Sequence, residues 1–326
     1  MPTLSGLDEA YRLIKPQLES LDKLLESQMR HPEACVAEML QYAARYSGKK
    51  LRPALVFIIG DICGAVTEEH TKLAGVVEMI HLATLVHDDV VDNAEVRRYA
   101  ASVNRRWTNT DAVLLGDIIF ARAINLLASL RNPRALDVLT NCVSIICEGE
   151  IHQNSLCHEP EVDEEVYFRI IKNKTAALYG AGCELAAMFS GVRAELVDAF
   201  SHFGMSLGIA FQIIDDCLDI SGEEAVVGKS LGTDVTNGKM TLPLIHLLSC
   251  LDPARRQQVE QVIRTGRRDP SVNLRELINE HDSLGFAMNR ANRFVDEALG
   301  RLRRLLEPRA QAVVEAIGGF VLSRNL

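Results

Sequence analysis

Two short acidic runs, HDDVVD and DDCLD, carry the chemistry that this sequence most clearly offers. In each run two aspartates stand four residues apart, Asp88 with Asp92 and Asp215 with Asp219. Residues at that spacing share one face of a helix, with Cβ atoms about 5–6 Å apart. Carboxylates so close together repel each other unless a cation lies between them, and hard oxygen ligands without cysteine or histidine favour Mg²⁺. The spacing therefore predicts two magnesium-binding helix faces.

Each acidic motif also contains a second aspartate directly after the first, Asp89 and Asp216. Both motifs end segments that are apolar nearly all round, where a bare carboxylate is costly to bury. A single motif of this kind is more often a solvated helix face or a helix end than a functional site. Two copies far apart in the chain, each at the end of a strongly apolar segment, favour a functional interpretation.

Basic residues gather near both motifs, and each by itself is most simply a surface charge. As a set beside two acidic metal sites, they predict a clamp for a diphosphate. Divalent ions together with Lys and Arg stabilise the negative charge that grows on a phosphate-bearing leaving group. The residues of this set are Lys49, Lys50, Arg52, Arg97, Arg98, Lys229 and Lys239.

The elements that must position these residues are helices. The segments GVVEMIHLATLVHDDVVD and FGMSLGIAFQIIDDCLD are apolar nearly all round, as expected for central helices. The run VFIIGDI is compatible with a short strand, but its neighbours favour a helix. Glycine and proline mark joints, and no linker divides the chain. The sequence therefore predicts an all-α fold, with one domain over residues 1–326 built as an irregular bundle of many helices.

The composition limits the classes of partner and compartment. Hydrophobic residues make up 48% of the chain, and the net charge of -9 argues against nucleic acid as the main partner. The eight cysteines lack CxxC pairs and zinc-finger spacing, which is typical of reduced, buried thiols. The sequence shows no apolar signal core and no apolar run that we interpret as a membrane span. We therefore expect a cytoplasmic protein without a transmembrane segment.

From Ser47 to Pro243 the sequence resembles the trans-isoprenyl (polyprenyl) diphosphate synthases. The segments that carry the resemblance are GKKLRP, EMIHLATLVHDDVVDNAEVRR, AVLLGDIIFARA, GEIHQ, KTAAL, and FQIIDDCLD followed by GKSLGTDVTNGKMTLP. Each segment alone is moderately specific, and six in the family's order are much more so. The resemblance implies an all-helical fold around a deep central cavity, with the two acidic motifs facing each other at its mouth.

The resemblance also assigns roles to residues at matching positions. A Mg²⁺ cluster on the allylic diphosphate would be ligated by Asp88, Asp92 and Asp215, and supported by Asp89, Asp216 and Asp219. The allylic diphosphate would be held by Arg97, Lys174, Lys229 and Lys239, with Gln212 nearby. The diphosphate of isopentenyl diphosphate would be held by Lys49, Arg52, His81 and Arg98. The catalytic residues would be Asp88, Asp92, Asp215, Lys174 and Lys229.

His81 is the least expected member of this set. A histidine on an apolar helix is most often a core residue with satisfied hydrogen bonds. Its position two turns before Asp88 is what favours a functional role.

The implied reaction is a prenyl transfer. Ionisation of the allylic diphosphate leaves a carbocation, the double bond of isopentenyl diphosphate attacks it, and proton loss gives an all-trans polyprenyl diphosphate. The implied primer is farnesyl or geranylgeranyl diphosphate, and an apolar wall keeps water from the cation. The family habit also implies a homodimer, and a long product implies peripheral membrane contact for its release.

Small residues before the first motif bear on product length. The tail pocket is expected along the helix that precedes Asp88, where Ala83 and Thr84 are small and Ile80 lies two turns deeper, at about 5.4 Å a turn. Small side chains there predict a product longer than farnesyl, with a deeper floor that stops growth at the geranylgeranyl length as the alternative. Tyr99 stands where the family often has glycine, so the loop after the paired arginines is expected to close differently.

Three other functions share parts of this pattern. A terpene cyclase usually has an NSE-like second motif and does not need GKKLRP. An enzyme of the squalene or phytoene synthase type joins two allylic chains, again without GKKLRP. A non-catalytic subunit or isoprenoid binder tends to lose aspartates from one motif, whereas this chain keeps all six. Labelled isopentenyl diphosphate with farnesyl diphosphate and Mg²⁺ separates these functions, because only a synthase returns an extended chain.

Overall fold

The computed structural model describes residues 10–64, 66–221, 233–267 and 271–323, and the predicted site residue Lys229 lies outside them. In this part of the chain the only strands are β1 (Val96–Arg97) and β2 (Ala100–Ala101), which form an antiparallel hairpin. Helices make up nearly all the remaining regular structure. The predicted all-α fold is therefore confirmed.

The helices follow one another closely along the chain, and they range from single turns to 28 residues. Their bounds are α1 (Lys15–Gln28), α2 (Ala34–Ala43), α3 (Leu51–Ile62), α4 (Glu68–Val91), α5 (Val103–Arg106), α6 (Asn109–Ala128), α7 (Pro133–Ser155), α8 (Glu164–Ile171), α9 (Ala177–Phe189), α10 (Ala194–Ser221), α11 (Thr233–Thr236), α12 (Leu242–Cys250), α13 (Pro253–Thr265), α14 (Leu274–Glu280), α15 (Ser283–Leu302) and α16 (Pro308–Leu322). A 3₁₀ turn covers Ala44–Tyr46, and a π-helical segment covers Lys172–Ala176.

Contacts between residues divide the chain into two compact units. The first unit is the part up to Thr140 together with Ala181–Ser201, and the second is Asn141–Gly180 together with the part from His202 onward. The first acidic motif belongs to the first unit, and the second acidic motif belongs to the second. The single domain over residues 1–326 stays a prediction.

The core of the first unit is built around α4, which packs against α1, α3 and α6. A capping box of Thr67 and His70 begins α4 and satisfies backbone N–H groups that have no partner within the helix. Every residue from 73 to 80 is buried, and two full turns of the helix are therefore packed on all faces. The run VFIIGDI lies in α3, so the helix predicted for it is confirmed.

The second unit has a core of its own, in which α12 packs against α13, α14 and α15. Its buried members are Met240, Leu244, Leu247, Leu248, Val259, Ile263 and Ile278. Lys239 directly precedes this cluster and is only 8% exposed. Because the next residue, Met240, is packed in this core, the backbone position of Lys239 is fixed as well.

The hairpin of β1 and β2 turns through Arg98 and Tyr99, whose φ angles are 51° and 64°. A two-residue turn with positive φ at both positions normally uses Asn-Gly, because other side chains are strained there. Tyr99 therefore occupies the left-handed conformation for which glycine is preferred. The hairpin was not predictable from the sequence, because strands of two residues leave no alternating pattern.

Helix α10 is, by length and hydropathy alone, the one helix in the described residues that could cross a membrane. This run was not among the segments predicted to span a membrane. Of its apolar window, 67% is buried within the protein, which is typical of a core helix. The absence of a transmembrane segment stays a prediction.

Candidate active site

The first acidic motif occupies the end of α4. The side chain of Asp88 is partly exposed in the last turn, and Asp92 is the C-cap residue, whose backbone N–H donates to the Asp88 carbonyl oxygen at 2.8 Å. The C-terminus of a helix carries a partial negative charge, so carboxylates there are destabilised unless a cation is present. This pair therefore supplies oxygen ligands at a position that favours a bound cation.

Asp89 is fully buried and is held by one guanidinium. Arg97 donates to Asp89 Oδ1 from Nε at 2.9 Å and from Nη2 at 2.6 Å. Burial raises the pKa of Asp89, and the positive charge of Arg97 opposes that shift. Asp89 Oδ2 is buried without a hydrogen-bond partner, an acceptor that a cation or a water would satisfy. Arg97, predicted to hold the allylic diphosphate, thus lies against Asp89 in the structure.

The second acidic motif occupies the last two turns of α10. Asp215 is partly exposed, whereas Asp216 is only 6% exposed. Tyr167 donates its hydroxyl to Asp216 Oδ2 at 2.7 Å, and the Gln212 side-chain amide donates to Oδ1 at 2.8 Å. Both oxygens of Asp216 are therefore occupied by hydrogen bonds from the protein.

Two further acidic groups adjoin this motif. Asp219 is 1% exposed, and its Oδ2 accepts the backbone N–H of Asp234 at 3.2 Å. Burial, and then the negative charge of Asp234, raise the pKa of Asp216 above its usual range. Asp215 is consequently the most accessible carboxylate of the second motif.

The two motifs share one arrangement, in which the first aspartate is partly exposed and the second is buried against a donor from the protein. In the described residues, no three acidic, histidine or cysteine side chains form a ready-made metal cage. Mg²⁺ commonly takes one or two carboxylates and completes its shell with water and substrate phosphate oxygens. Within each motif the accessible carboxylates, Asp88 and Asp92 in the first and Asp215 in the second, are therefore of the kind that Mg²⁺ combines with substrate phosphate oxygens.

Lys174 lies in the π-helical segment between α8 and α9, a geometry that often marks functional sites. Its Nζ contacts Glu150 at 2.6 Å and Gln153 at 2.9 Å, both on α7. Gly149 makes room for the segment, because a Cβ there would lie 2.7 Å from the Lys174 backbone nitrogen. The structure thus brings the GEIHQ and KTAAL motifs together within the second unit.

A buried carboxylate lies among cations in the first unit. Glu78 on α4 is 7% exposed and accepts a hydrogen bond from Ser47 Oγ at 3.2 Å. Burial raises the pKa of Glu78, and the charges of Arg52, Lys50 and Arg98 oppose that shift. Glu78 therefore neutralises part of a cluster that contains two predicted ligands of isopentenyl diphosphate, Arg52 and Arg98.

His81 follows Glu78 by one turn on α4 and is partly exposed. Burial, and then the positive charge of Arg52, hold the pKa of His81 well below its usual range. A neutral imidazole donates one N–H, so His81 remains able to hydrogen-bond a phosphate oxygen. His81 and Glu78 line a cavity of about 410 Å³, whose lining includes the ion-paired Lys50 and Asp22.

The SGKKLRP segment lies between the 3₁₀ turn and α3, at the edge of this cluster. Lys49 is exposed, and its carbonyl oxygen accepts the hydroxyl of Tyr11 at 2.9 Å. A Cβ on Gly48 would lie 2.6 Å from Nη1 of Arg98. Glycine therefore lets the Arg98 guanidinium pack directly against the loop.

The residues predicted to set product length follow one another along α4. Ile80 and Ala83 are packed in the core, at 1% and 3% exposure. Thr84 is partly exposed, and its hydroxyl donates to the His81 carbonyl oxygen at 2.8 Å. Of the three positions, Thr84 is the one where a larger side chain can extend without displacing a packed core.

Sequence reasoning missed three residues of this site: Glu78, Tyr46 and Tyr167. The Tyr46 hydroxyl accepts the backbone N–H of Val103 at 2.8 Å, and burial together with the charge of Asp89 raises the pKa of Tyr46. For Glu78 the one signal was a charge within the apolar run GVVEMIHL. The two tyrosines had no distinguishing pattern, because a tyrosine in a helical protein is most simply a core residue.

Comparison with known proteins gives a consistent result. The sequence model of the polyprenyl synthetase family matches residues 33–280. An octaprenyl diphosphate synthase from Haemophilus influenzae is 30% identical over 99% of this chain and 98% of its own length. Component 2 of the heptaprenyl diphosphate synthase from Bacillus subtilis is 30% identical over 97% of this chain and 90% of its own. A polyprenyl synthase from Caulobacter crescentus, solved with calcium and isoprenyl diphosphate, superposes with a TM-score of 0.93 at 31% identity, covering 98% of both chains.

Proposed function

The chain belongs to the polyprenyl synthetase family, and from that premise we propose that its acidic motifs bind Mg²⁺ on an allylic diphosphate while its cation cluster binds isopentenyl diphosphate. The chain is a trans-polyprenyl diphosphate synthase of medium- or long-chain type, which condenses isopentenyl diphosphate with an allylic diphosphate. The relatives do not favour a geranylgeranyl-length synthase, a cyclase or a non-catalytic subunit.

The single observation that supports this assignment of the site is the arrangement that the two motifs share. Asp88, Asp92 and Asp215 keep accessible oxygens, whereas Asp89 and Asp216 are held by Arg97 and by Tyr167 with Gln212. Bound Mg²⁺ would neutralise the departing diphosphate as its negative charge grows. The calcium in the Caulobacter relative supports a divalent cation in this role.

The protein's own residues do the positioning. Lys174, held between Glu150 and Gln153, would supply a fixed positive charge to the allylic diphosphate. Arg52 and Arg98 would bind the second diphosphate, with His81 donating an N–H as a neutral imidazole. Apolar walls that exclude water would protect the carbocation until the new carbon–carbon bond forms. Lys229 is proposed to bind the allylic diphosphate from the sequence alone.

Incorporation of labelled isopentenyl diphosphate tests the proposal. The purified protein with farnesyl diphosphate and Mg²⁺ should give an extended, acid-labile polyprenyl product, and EDTA should abolish it. Cyclised hydrocarbon, or turnover that persists in EDTA, would overturn the assignment. Reverse-phase chromatography of the dephosphorylated alcohol gives the chain length in the same experiment.

We expect Gly48→Ala to raise the KM for isopentenyl diphosphate about tenfold, because the new Cβ displaces the Arg98 guanidinium. The KM for the allylic substrate should stay within about twofold. Steady-state kinetics with each substrate varied in turn measures the two KM values. Gly300→Ala is the matched control, since a Cβ on Gly300 meets nothing within 4 Å. Equal changes in both KM values would show that Arg98 does not bind isopentenyl diphosphate as proposed.

We also propose that the enzyme is a homodimer, with α6 in the interface. Two adjacent apolar side chains on α6 are exposed, Val113 at 42% and Leu114 at 55%. Exposed apolar side chains that lie together commonly mark a protein–protein contact. A second copy of the chain is the occupant we favour, and the name of the Bacillus relative, a component 2, makes a different subunit the other outcome.

Light scattering after size exclusion tests the dimer. The wild-type protein should elute at twice the monomer mass, and Leu114→Arg should elute as a monomer at micromolar concentration because a guanidinium would be buried in the contact. Leu13→Arg, at another exposed leucine (46%), should leave the dimer intact. A wild-type monomer that needs a second protein for activity would replace this proposal with a two-component enzyme.

A cytoplasmic location, with peripheral membrane contact during product release, completes the proposal. It is supported by the cysteine pattern, which lacks CxxC pairs and zinc-finger spacing, and by the apolar product. Fractionation of cells that express the chain, with and without added primer, measures the shares of the protein in the cytoplasmic and membrane fractions.

A further inference from the structure

Asp216 lies at the centre of a hydrogen-bond network that joins three segments of the second unit. Tyr167 on α8 donates to Oδ2 at 2.7 Å, and Gln212 on α10 donates to Oδ1 at 2.8 Å. Thr175, in the π-helical segment beside Lys174, donates to Gln212 Oε1 at 2.7 Å. The network therefore connects the lysine proposed for the allylic diphosphate to the second acidic motif.

Tyr167 is buried within this network and is 2% exposed. Its phenol is the donor in the hydrogen bond to Asp216, because a phenol is protonated at neutral pH. At 2.7 Å the hydrogen bond from the phenol to Asp216 has the usual length of an O–H···O bond, and both side chains are buried. Its loss would leave a buried carboxylate oxygen without a donor.

The position of Asp216 bears directly on Asp215. Neighbouring residues on a helix point about 100° apart, so the face that Asp216 buries determines the direction in which Asp215 projects. The motif lies in the last two turns of α10, where a helix frays most readily. Hydrogen bonds to other segments therefore add to the packing of the helix in holding the orientation of the motif.

We infer that Tyr167 is a positioning residue: it holds Asp216 so that Asp215 faces the diphosphate-bound magnesium. The inference rests on the proposed function. Tyr167 itself does not touch the metal or either substrate in this account. Its effect should therefore appear in metal and diphosphate binding and not in the binding of isopentenyl diphosphate.

Tyr167→Phe keeps the ring and removes only the hydroxyl. Titration calorimetry with inorganic pyrophosphate and Mg²⁺ reports binding without turnover, and we expect an increase in Kd of about tenfold. In activity assays the Mg²⁺ concentration for half-maximal rate should also rise about tenfold, while the KM for isopentenyl diphosphate stays within about twofold. If Tyr167 were needed only for folding, its replacement would lower the melting temperature but would not raise the Mg²⁺ requirement selectively.

Two further variants make the test decisive. Tyr179→Phe is the matched control, because Tyr179 is equally buried in the same unit and its ring packs against Phe211 of α10. It should bind pyrophosphate like the wild type. Asp216→Asn should raise the Kd for pyrophosphate. The double variant with Tyr167→Phe should have a Kd only slightly higher than that of Asp216→Asn, because the two changes disrupt the same hydrogen bond.

The outcomes are separable from those of the proposed function. If wild-type protein binds no pyrophosphate in the presence of Mg²⁺, the proposed function fails. If the wild type binds and Tyr167→Phe binds equally well, or if the two changes are additive, the inference fails. Should Tyr167→Phe not fold, Thr175→Val tests the same network from its other end, with an expected increase in Kd of about threefold; an unchanged Kd there also overturns the inference.

Discussion

Asp215→Asn should lower kcat by about a hundred- to a thousandfold, the effect of removing one preorganised electrostatic group from a site that stabilises a leaving group. Asparagine keeps the size and one acceptor oxygen of the carboxylate but removes the charge that binds Mg²⁺. Because Asp215 is partly exposed and not packed in the core, the fold should be retained. Single-turnover measurement of product formation isolates the chemical step.

Asp198→Asn provides the matched control for this change. Asp198 is an exposed aspartate near the start of the same helix, α10, so its replacement removes equal charge away from the motif. It should leave kcat within about twofold. If Asp215→Asn were as active as Asp198→Asn, the second motif would not take part in ionisation of the primer.

Thr84→Phe should shorten the product by at least about two isoprene units. Thr84 lies one helical turn, about 5.4 Å, before Asp88, so an aromatic ring there would close the space into which the growing chain is proposed to extend. Since Thr84 is partly exposed, the ring can be accommodated without the overpacking that Ala83→Phe would cause. Chromatography of the dephosphorylated products against polyprenol standards gives the length.

Thr84→Ser is the control for this prediction, because it keeps the hydroxyl that donates to the His81 carbonyl and barely changes the volume. Its product should match the wild type. An unchanged product from Thr84→Phe, made at a normal rate, would move the chain-length pocket to another part of the molecule. The total rate of isopentenyl incorporation should fall only in proportion to the shorter product.

The parts of the fold that depend on long apolar periodicity were predictable from the sequence. Helices α4 and α10 bury side chains on nearly every face, and such segments differ clearly from strands in length and in pattern. The same segments place Asp88 and Asp215 at their ends, so the two acidic motifs could be recognised together with the helices that carry them.

The partners of the second aspartates were not predictable. The contact between Arg97 and Asp89 joins residues only eight positions apart, but it depends on a hairpin whose strands are too short to leave a pattern. The hydrogen bond from Tyr167 to Asp216 joins residues 49 positions apart, and only tertiary packing brings them together. The resemblance separated ligating aspartates from supporting ones, but it named no partner for the supporting ones. The contacts of Asp89 with Arg97 and of Asp216 with Tyr167 appear only in the folded chain.

The cation cluster shows the same limit. GKKLRP and the paired arginines could be selected by their charge, but their buried counter-charge, Glu78, could not. A single glutamate within an apolar helix has no pattern of its own in one sequence. Only its contact with Ser47 and the surrounding cations in the folded chain reveals it.

A crystal structure with Mn²⁺ in place of Mg²⁺ and an unreactive thiodiphosphate analogue of the allylic substrate tests the account most directly, because anomalous scattering locates the metal independently of the protein. We expect Mn²⁺ peaks within about 2.0–2.3 Å of carboxylate oxygens of Asp88, Asp92 and Asp215 and of the diphosphate, with Asp216 still bonded to Tyr167. Metal bound elsewhere, or a diphosphate bound without metal at these aspartates, would contradict it.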